Sequence, residues 1–182
     1  YDAGVIAARL LTDRLSPTSD ILMARIVHSG KNDSNQGKNR RDGFCYYLKE
    51  VGFSGKLHEV ELKISDSVYN FAKLNEIFEL NPGIKGAIIF NSTCYILGNY
   101  LKTRGMQAVK LVGYDLIERN TQLLSEGVIT ALIAQRPERQ GYEGIKSLCN
   151  YLLFKQKSEK VNLMPIDILL RENLKYYLNN KL

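Results

Sequence analysis

Two rhythms of apolar positions alternate along the chain. Short apolar runs at residues 21–27, 86–90, 109–114 and 129–134 read as buried strands, and residues 57–64 mostly alternate apolar with polar. Between the runs, apolar residues recur at helical spacing. Val5, Ile6, Leu10 and Leu11 mark a helix over 2–15, stopped by Ser16-Pro17-Thr18 because proline cannot continue the hydrogen-bond ladder. A loop over 29–39, rich in Gly, Asn, Asp and Ser, precedes a helix over about 40–51 with Phe44, Tyr47 and Leu48 on its inner face. Phe71, Leu74 and Phe78 line a helix that runs from the Ser65-Asp66-Ser67 cap to about residue 79. Further helices are predicted at about 93–103, around Ile117, Leu123 and Leu124, and at 137–154. In the last of these Pro137 suits the first turn, and Ile145, Leu148, Cys149 and Leu152 form the inward face. A strand over 161–169, interrupted by Pro165, and an amphipathic tail at about 171–178 close the chain.

Strand followed by helix, repeated along the chain, predicts an α/β fold. It is a three-layer open parallel sheet with helices on both faces and right-handed crossovers. In such sheets ligands bind outside the carboxyl ends of the strands. Here the apolar runs stop on Asn91-Ser92, on Asp115 and on Gln135. Hydrogen-bonding residues placed this way predict a cleft for a small polar molecule, not a catalytic constellation.

Composition narrows the class. The chain has 182 residues, 45% of them hydrophobic and 24% charged, as in ordinary globular domains. No apolar run approaches the roughly 20 residues of a membrane span, and no signal peptide is visible. The sequence starts at Tyr1 inside a predicted helix and reads as a fragment. Cys45, Cys94 and Cys149 are odd in number and far apart, which predicts buried reduced thiols in a cytoplasmic protein and no zinc site. The net charge of +6 has one local cluster, Lys38, Arg40 and Arg41, and reads as a solvated basic surface. His28 and His58 accompany no nucleophile motif and read as structural or surface residues. With no G-x-G-x-x-G, P-loop, H-E-x-x-H or calcium loop, no cofactor, metal or catalytic residue is predicted. Two Asn-x-Ser/Thr triplets, at Asn32 and Asn91, carry no weight.

The order of segments resembles the effector-binding region of LacI/GalR-family transcriptional regulators, which share the type 1 periplasmic-binding-protein fold with sugar-binding transport proteins. Four stretches carry the resemblance across essentially the whole chain. They are residues 4–11, the R-x-x-G-F motif at Arg40-Arg41-Asp42-Gly43-Phe44, the segment Val112-Gly113-Tyr114-Asp115, and Ile133-Ala134-Gln135-Arg136-Pro137 with Gln140-Gly141-Tyr142.

The resemblance implies two lobes with a ligand between them. Residues 1–134 plus about 162–182 correspond to the C-terminal lobe. A helix at about 136–160 belongs to an N-terminal lobe that is otherwise missing, as is the DNA-binding headpiece. It implies ligand-binding roles for Arg40, Asp115 and Gln135: a donor fork, an acceptor of hydroxyl hydrogens, and an amide at the crossover. At the fourth position the family's N-D is replaced by Asn91-Ser92, so either residue occupies the ligand position and a carboxylate is lost. Phe90, Tyr95 and Tyr114 either stack on a sugar face or pack the core.

The implied partners are a small effector, expected to be a carbohydrate, operator DNA through the missing headpiece, and a second copy of the chain. Ile117, Leu123 and Leu124 are candidates for the contact between copies, and no membrane partner is implied. The alternative is a solute-binding protein of a sugar transport system. An enzyme on the same sheet is disfavoured by the sparse histidines.

Overall fold

The computed structural model describes residues 1–27, 34–157 and 159–179. The elements are α1 (Asp2–Thr12), β1 (Asp20–Ile26), α2 (Asn35–Glu50), β2 (Leu57–Leu62), α3 (Ser67–Leu80), β3 (Ile84–Ile89), α4 (Tyr95–Thr103), β4 (Lys110–Tyr114), α5 (Glu118–Ser125), β5 (Ala131–Ala134), α6 (Pro137–Phe154), β6 (Asp167–Leu169) and α7 (Leu174–Asn179). Helix α2 begins before Arg40 because the Ser34 hydroxyl caps it, accepting the Gly37 N–H at 3.1 Å. His28 and residues 29–33 of the predicted loop lie outside the described residues, and residues 35–39, also predicted as loop, belong to α2.

The strands form one sheet in the order β2-β1-β3-β4-β5-β6. Strands β1 to β5 are parallel, whereas β6 runs antiparallel to β5. The all-parallel expectation therefore holds for the body of the sheet and fails at its edge. Pro165 has no N–H to give a ladder, and only Asp167–Leu169 pairs.

Alternate strand residues feed two cores. Leu22, Ala24, Ala87, Ile89, Leu111 and Leu132 face α3, α4, α5 and α7; Ile21, Met23, Ile88, Val112 and Ile133 face α1 and α2. The α1 helix forms as predicted, but its deepest residues are Ala3, Gly4, Ala7, Ala8 and Leu11, with Ile6 and Leu10 only flanking. The cause is close approach to α2. A Cβ at Gly4 would meet the Arg40 backbone and one at Gly43 the Tyr1 backbone, both closer than atoms can stand.

Three sequence expectations are corrected here. Helix α6 buries no residue, and Ile145, Leu148, Cys149 and Leu152, expected inward, are exposed. Leu123 and Leu124 point into the core beneath α5 and cannot form a contact between copies, while Ile117 stays exposed. Of the three free cysteines only Cys94 is buried; Cys45 is half-buried and Cys149 exposed. His58 is structural, with its Nε2 2.9 Å from Asp20 Oδ2 at the amino end of β1. No helix among the described residues is long and apolar enough to cross a membrane.

Candidate functional site

The R-x-x-G-F motif has a physical reading. Gly43 lets α2 press against α1, Phe44 fills the core, and Arg40 lies one turn earlier on the same face. Arg40 is therefore buried, at 3% exposure. Its Nη1 donates to the Phe90 carbonyl at 2.8 Å, across the boundary between β1 and β3 where the strand order reverses. Its guanidinium carbon stacks 4.0 Å from the centre of the Tyr114 ring. Nε and Nη2, which share one edge of the guanidinium, have no partner.

The other predicted residues occupy the ends of the next strands. Asp115 follows β4 with φ 66°, a left-handed conformation that aspartate tolerates better than most residues. Its N–H donates to the Ile133 carbonyl at 3.0 Å, so its backbone is tied to β5 while its side chain is left for the cleft. Asn91 and Ser92 follow β3. Asn91 Oδ1 accepts from the Thr93 N–H at 2.9 Å and the Thr93 hydroxyl at 2.6 Å, an Asx turn that leads into α4. Gln135 ends β5. Its Oε1 accepts from Gln36 Nε2 at 3.0 Å, and its carbonyl accepts from Gln140 Nε2 at 2.7 Å.

Ser92, Asp115 and Gln135 come together on a groove of about 960 Å³ whose far side is Asp167, Ile168, Tyr176 and Tyr177. Arg40 sits within electrostatic reach of Asp115 but does not line this groove, and neither does Asn91. Phe90 and Tyr114 are core residues: Phe90 packs edge-on to Phe44, and the Tyr114 hydroxyl donates to the Ala3 carbonyl at 3.1 Å. Tyr95 is half-buried, under Arg119. The basic cluster also dissolves, since Arg40 is buried and Arg41 pairs with Glu59.

Burial sets the electrostatics. It pushes the Asp115 carboxyl above the ordinary carboxylate range, with Arg40 pulling the other way. It lowers the Arg40 guanidinium, partly countered by Asp115. A buried, unpaired donor edge on Arg40 and a carboxylate acceptor on Asp115 are chemically complementary halves for hydroxyl groups. Among the described residues no group of three or more His, Cys, Asp or Glu could hold a metal ion.

Sequence reasoning missed two features. Arg136, at the crossover after β5 with φ 47°, makes two hydrogen bonds to Asp167, of 2.6 and 2.8 Å. Asn120 is fully buried and bonds to both strand-end loops, at the Ser92 and Asp115 carbonyls. Its signal was available, since a polar residue three and four positions before Leu123 and Leu124 falls on the inner face of α5.

Comparison with known proteins fits this arrangement. No curated protein matches the chain. A solved structure of a candidate LacI transcriptional regulator from Bacteroides fragilis superposes with a TM-score of 0.90 at 39% identity, covering 97% of this chain and 61% of that one. A solute-binding protein of an ABC transporter from Agrobacterium vitis, bound with α-D-tagatopyranose, gives a TM-score of 0.78 at 19% identity over 94% of this chain and 56% of its own. A glucose-galactose binding protein from Geobacillus stearothermophilus gives 0.79 at 16% identity over 96% and 61%. The chain thus spans about three fifths of the length of these proteins. A family model described as a periplasmic binding protein domain matches residues 1–156, and the chain belongs to that family.

Proposed function

We propose that this chain is the ligand-sensing part of a LacI-family transcriptional regulator and that its ligand is a sugar or sugar derivative. The observation that carries the saccharide reading is that Arg40 of α2, with two buried and unpaired donor atoms, lies within electrostatic reach of Asp115 beyond β4. Neutral hydroxyls donate to the carboxylate and accept from the guanidinium edge. The groove beside them adds Ser92 and Gln135, which bring polar groups without further charge. The regulator reading leans on the 39%-identical candidate regulator. The tagatose bound to one of the more distant proteins and the glucose-galactose binding of another agree with the ligand class.

In this reading residues 1–134 and 162–182 are the C-terminal lobe, and 136–160 belong to an N-terminal lobe supplied by sequence outside this chain. The exposed apolar stripe of α6 supports that division. Ligand closing the two lobes shifts a population between two lobe angles, limited by its differential affinity for them. A homodimer acting in the cytoplasm would pass that shift to two DNA-binding headpieces. The role is binding, and no residue is assigned to chemistry.

Thermal-shift titration of the full-length protein with D-tagatose, D-glucose and D-galactose tests the ligand class. A saccharide at about 100 times its Kd adds roughly 2.7 kcal/mol to the folded state, several degrees in Tm. If a broad panel of pentoses, hexoses and their acids leaves Tm unmoved, the sugar reading fails. The sequence upstream of this chain decides the rest: a helix-turn-helix headpiece supports the regulator, and a signal peptide instead makes the protein a transport component.

A further inference from the structure

Asn120 has no exposed surface and cannot touch a ligand. It is nevertheless the residue that joins the two loops carrying Ser92 and Asp115. Its Oδ1 accepts the Tyr95 N–H at 2.9 Å, at the start of α4. Its Nδ2 lies 2.9 Å from the Ser92 carbonyl, 3.0 Å from the Tyr114 carbonyl and 3.1 Å from the Asp115 carbonyl. One amide has two N–H groups, so the three carbonyls share them, and all the polar capacity of the side chain lies between the loops. The backbone carbonyls it binds belong to the last residue of β4, to the left-handed residue after it, and to a residue of the loop after β3.

We infer that Asn120 is a positioning residue for the cleft: it fixes the Ser92 and Asp115 loops as one rigid wall and holds Asp115 in the backbone conformation that presents its carboxylate. The inference rests on the saccharide-cleft reading for its consequence, ligand affinity, but its structural half stands alone. The geometry explains why an amide is required. An aspartate would keep the acceptor for Tyr95 and turn an acceptor toward three carbonyl oxygens, which repel it. A hydrophobic residue would leave the carbonyls and the Tyr95 N–H unpaired in the protein interior. A fixed wall also lowers the ordering cost that a ligand must meet on binding.

The test uses Asn120→Asp, with Asn120→Ser as a second variant that introduces no buried charge, in the full-length protein. Residue-resolved amide hydrogen exchange is the first readout. The Asp115 N–H, bonded to Ile133, and the Thr93 N–H, bonded to Asn91, are expected to exchange at least tenfold faster in both variants. The amides of Ala87 and Ile88 in β3 are expected to stay unchanged. Equal acceleration of all four amides, which a merely structural role predicts, overturns the inference, and so does no acceleration at all.

The second readout is calorimetric affinity for whichever of D-tagatose, D-glucose or D-galactose the unaltered protein binds, measured well below the unfolding temperature. Asn120→Ser is expected to weaken it at least tenfold, and to add less than twofold once Asp115 is Ala. A full additional loss in the Asp115→Ala background overturns action through Asp115. If the unaltered protein binds no saccharide, the saccharide reading fails, and the exchange pattern still decides the role of Asn120.

Discussion

Helix α1 buries Ala3, Gly4, Ala7, Ala8 and Leu11, whereas α6, similarly striped and longer, buries nothing. The difference lies in the residues that make the stripes. The α1 stripe is small and lets α2 approach until the two backbones touch at Gly4 and Gly43. The α6 stripe is large: Tyr142, Ile145, Leu148, Tyr151, Leu152 and Phe154 all stand more than half exposed. The half-buried residues on α6 include the polar pair Glu143 and Ser147, which face the segment 162–166. An amphipathic pattern thus announces that a face is to be covered, while side-chain size states how closely. For α6 no covering surface exists among the described residues, which is the expectation for a helix that belongs to another lobe.

The largest effect that separates the two helices is on stability. Phe44→Ala, in the layer that α1 and α2 share, is expected to cost this chain about 3–5 kcal/mol, because it opens a cavity in a packed core. Leu148→Ala in the same chain is expected to change stability by no more than about 0.5 kcal/mol. Urea denaturation measures both, and a cost above about 2 kcal/mol for Leu148→Ala would break the contrast. Repeating Leu148→Ala in the full-length protein sharpens it. There the loss should approach the roughly 2–5 kcal/mol of a buried leucine, and continued neutrality would remove α6 from the N-terminal lobe.

A smaller effect follows at the boundary between the buried body and the open cleft. Arg40→Ala and Asp115→Ala are each expected to weaken saccharide binding by the full-length protein at least tenfold, about 1.4 kcal/mol. Asp115 is also expected to give binding a pH dependence. Burial raises its folded pKa, so it takes up a proton at a pH above the usual carboxylate range, and the neutral acid then has fewer acceptor sites for ligand hydroxyls. Affinity is expected to fall as the pH drops through that raised value, and Asp115→Asn to flatten the profile while lowering affinity throughout. Calorimetry across pH that shows a flat profile for the unaltered protein would take Asp115 out of the cleft.

Much of this organisation was legible in the sequence, for identifiable reasons. Apolar runs gave β1, β3, β4 and β5 because these strands are buried on both faces, and alternation gave β2, which has one exposed face. The strand-end residues Asn91, Ser92, Asp115 and Gln135 were visible because a hydrogen-bonding residue after an apolar run is conspicuous. Direction was not legible at the edge, since Asp167-Ile168-Leu169 pairs antiparallel with β5 and three residues carry no mark of orientation. The inward face predicted for α6 failed because periodicity reports a stripe and not what covers it. The burial of Arg40 escaped notice because it depends on Gly4 meeting Gly43's helix, a contact between segments far apart in the chain. The Arg136–Asp167 pair escaped for the same reason, its members being thirty-one residues apart.

That pair governs the smallest predicted effect, and it sits where the two halves of the comparison join. Arg136 is the residue at which the chain leaves β5 for α6, and its left-handed backbone is disfavoured for a long side chain. Its guanidinium grips Asp167 on β6 with two parallel hydrogen bonds, so the departure of α6 is anchored to the sheet edge. The pairing holds the Asp167 carboxyl below the ordinary carboxylate range. A carboxyl depressed on folding stabilises the protein above its unfolded pKa, about 3.9, and loses that contribution as the pH falls through the lower folded value. Asp167→Asn is therefore expected to lower Tm near neutral pH by less than Phe44→Ala does, with the difference from the unaltered chain closing as the pH drops below about 4. Thermal unfolding of the two proteins between pH 7 and pH 2 checks this. A difference that persists undiminished at the acid end would mean that Asp167 acts through packing rather than charge, and that α6 is held to the sheet by some other contact.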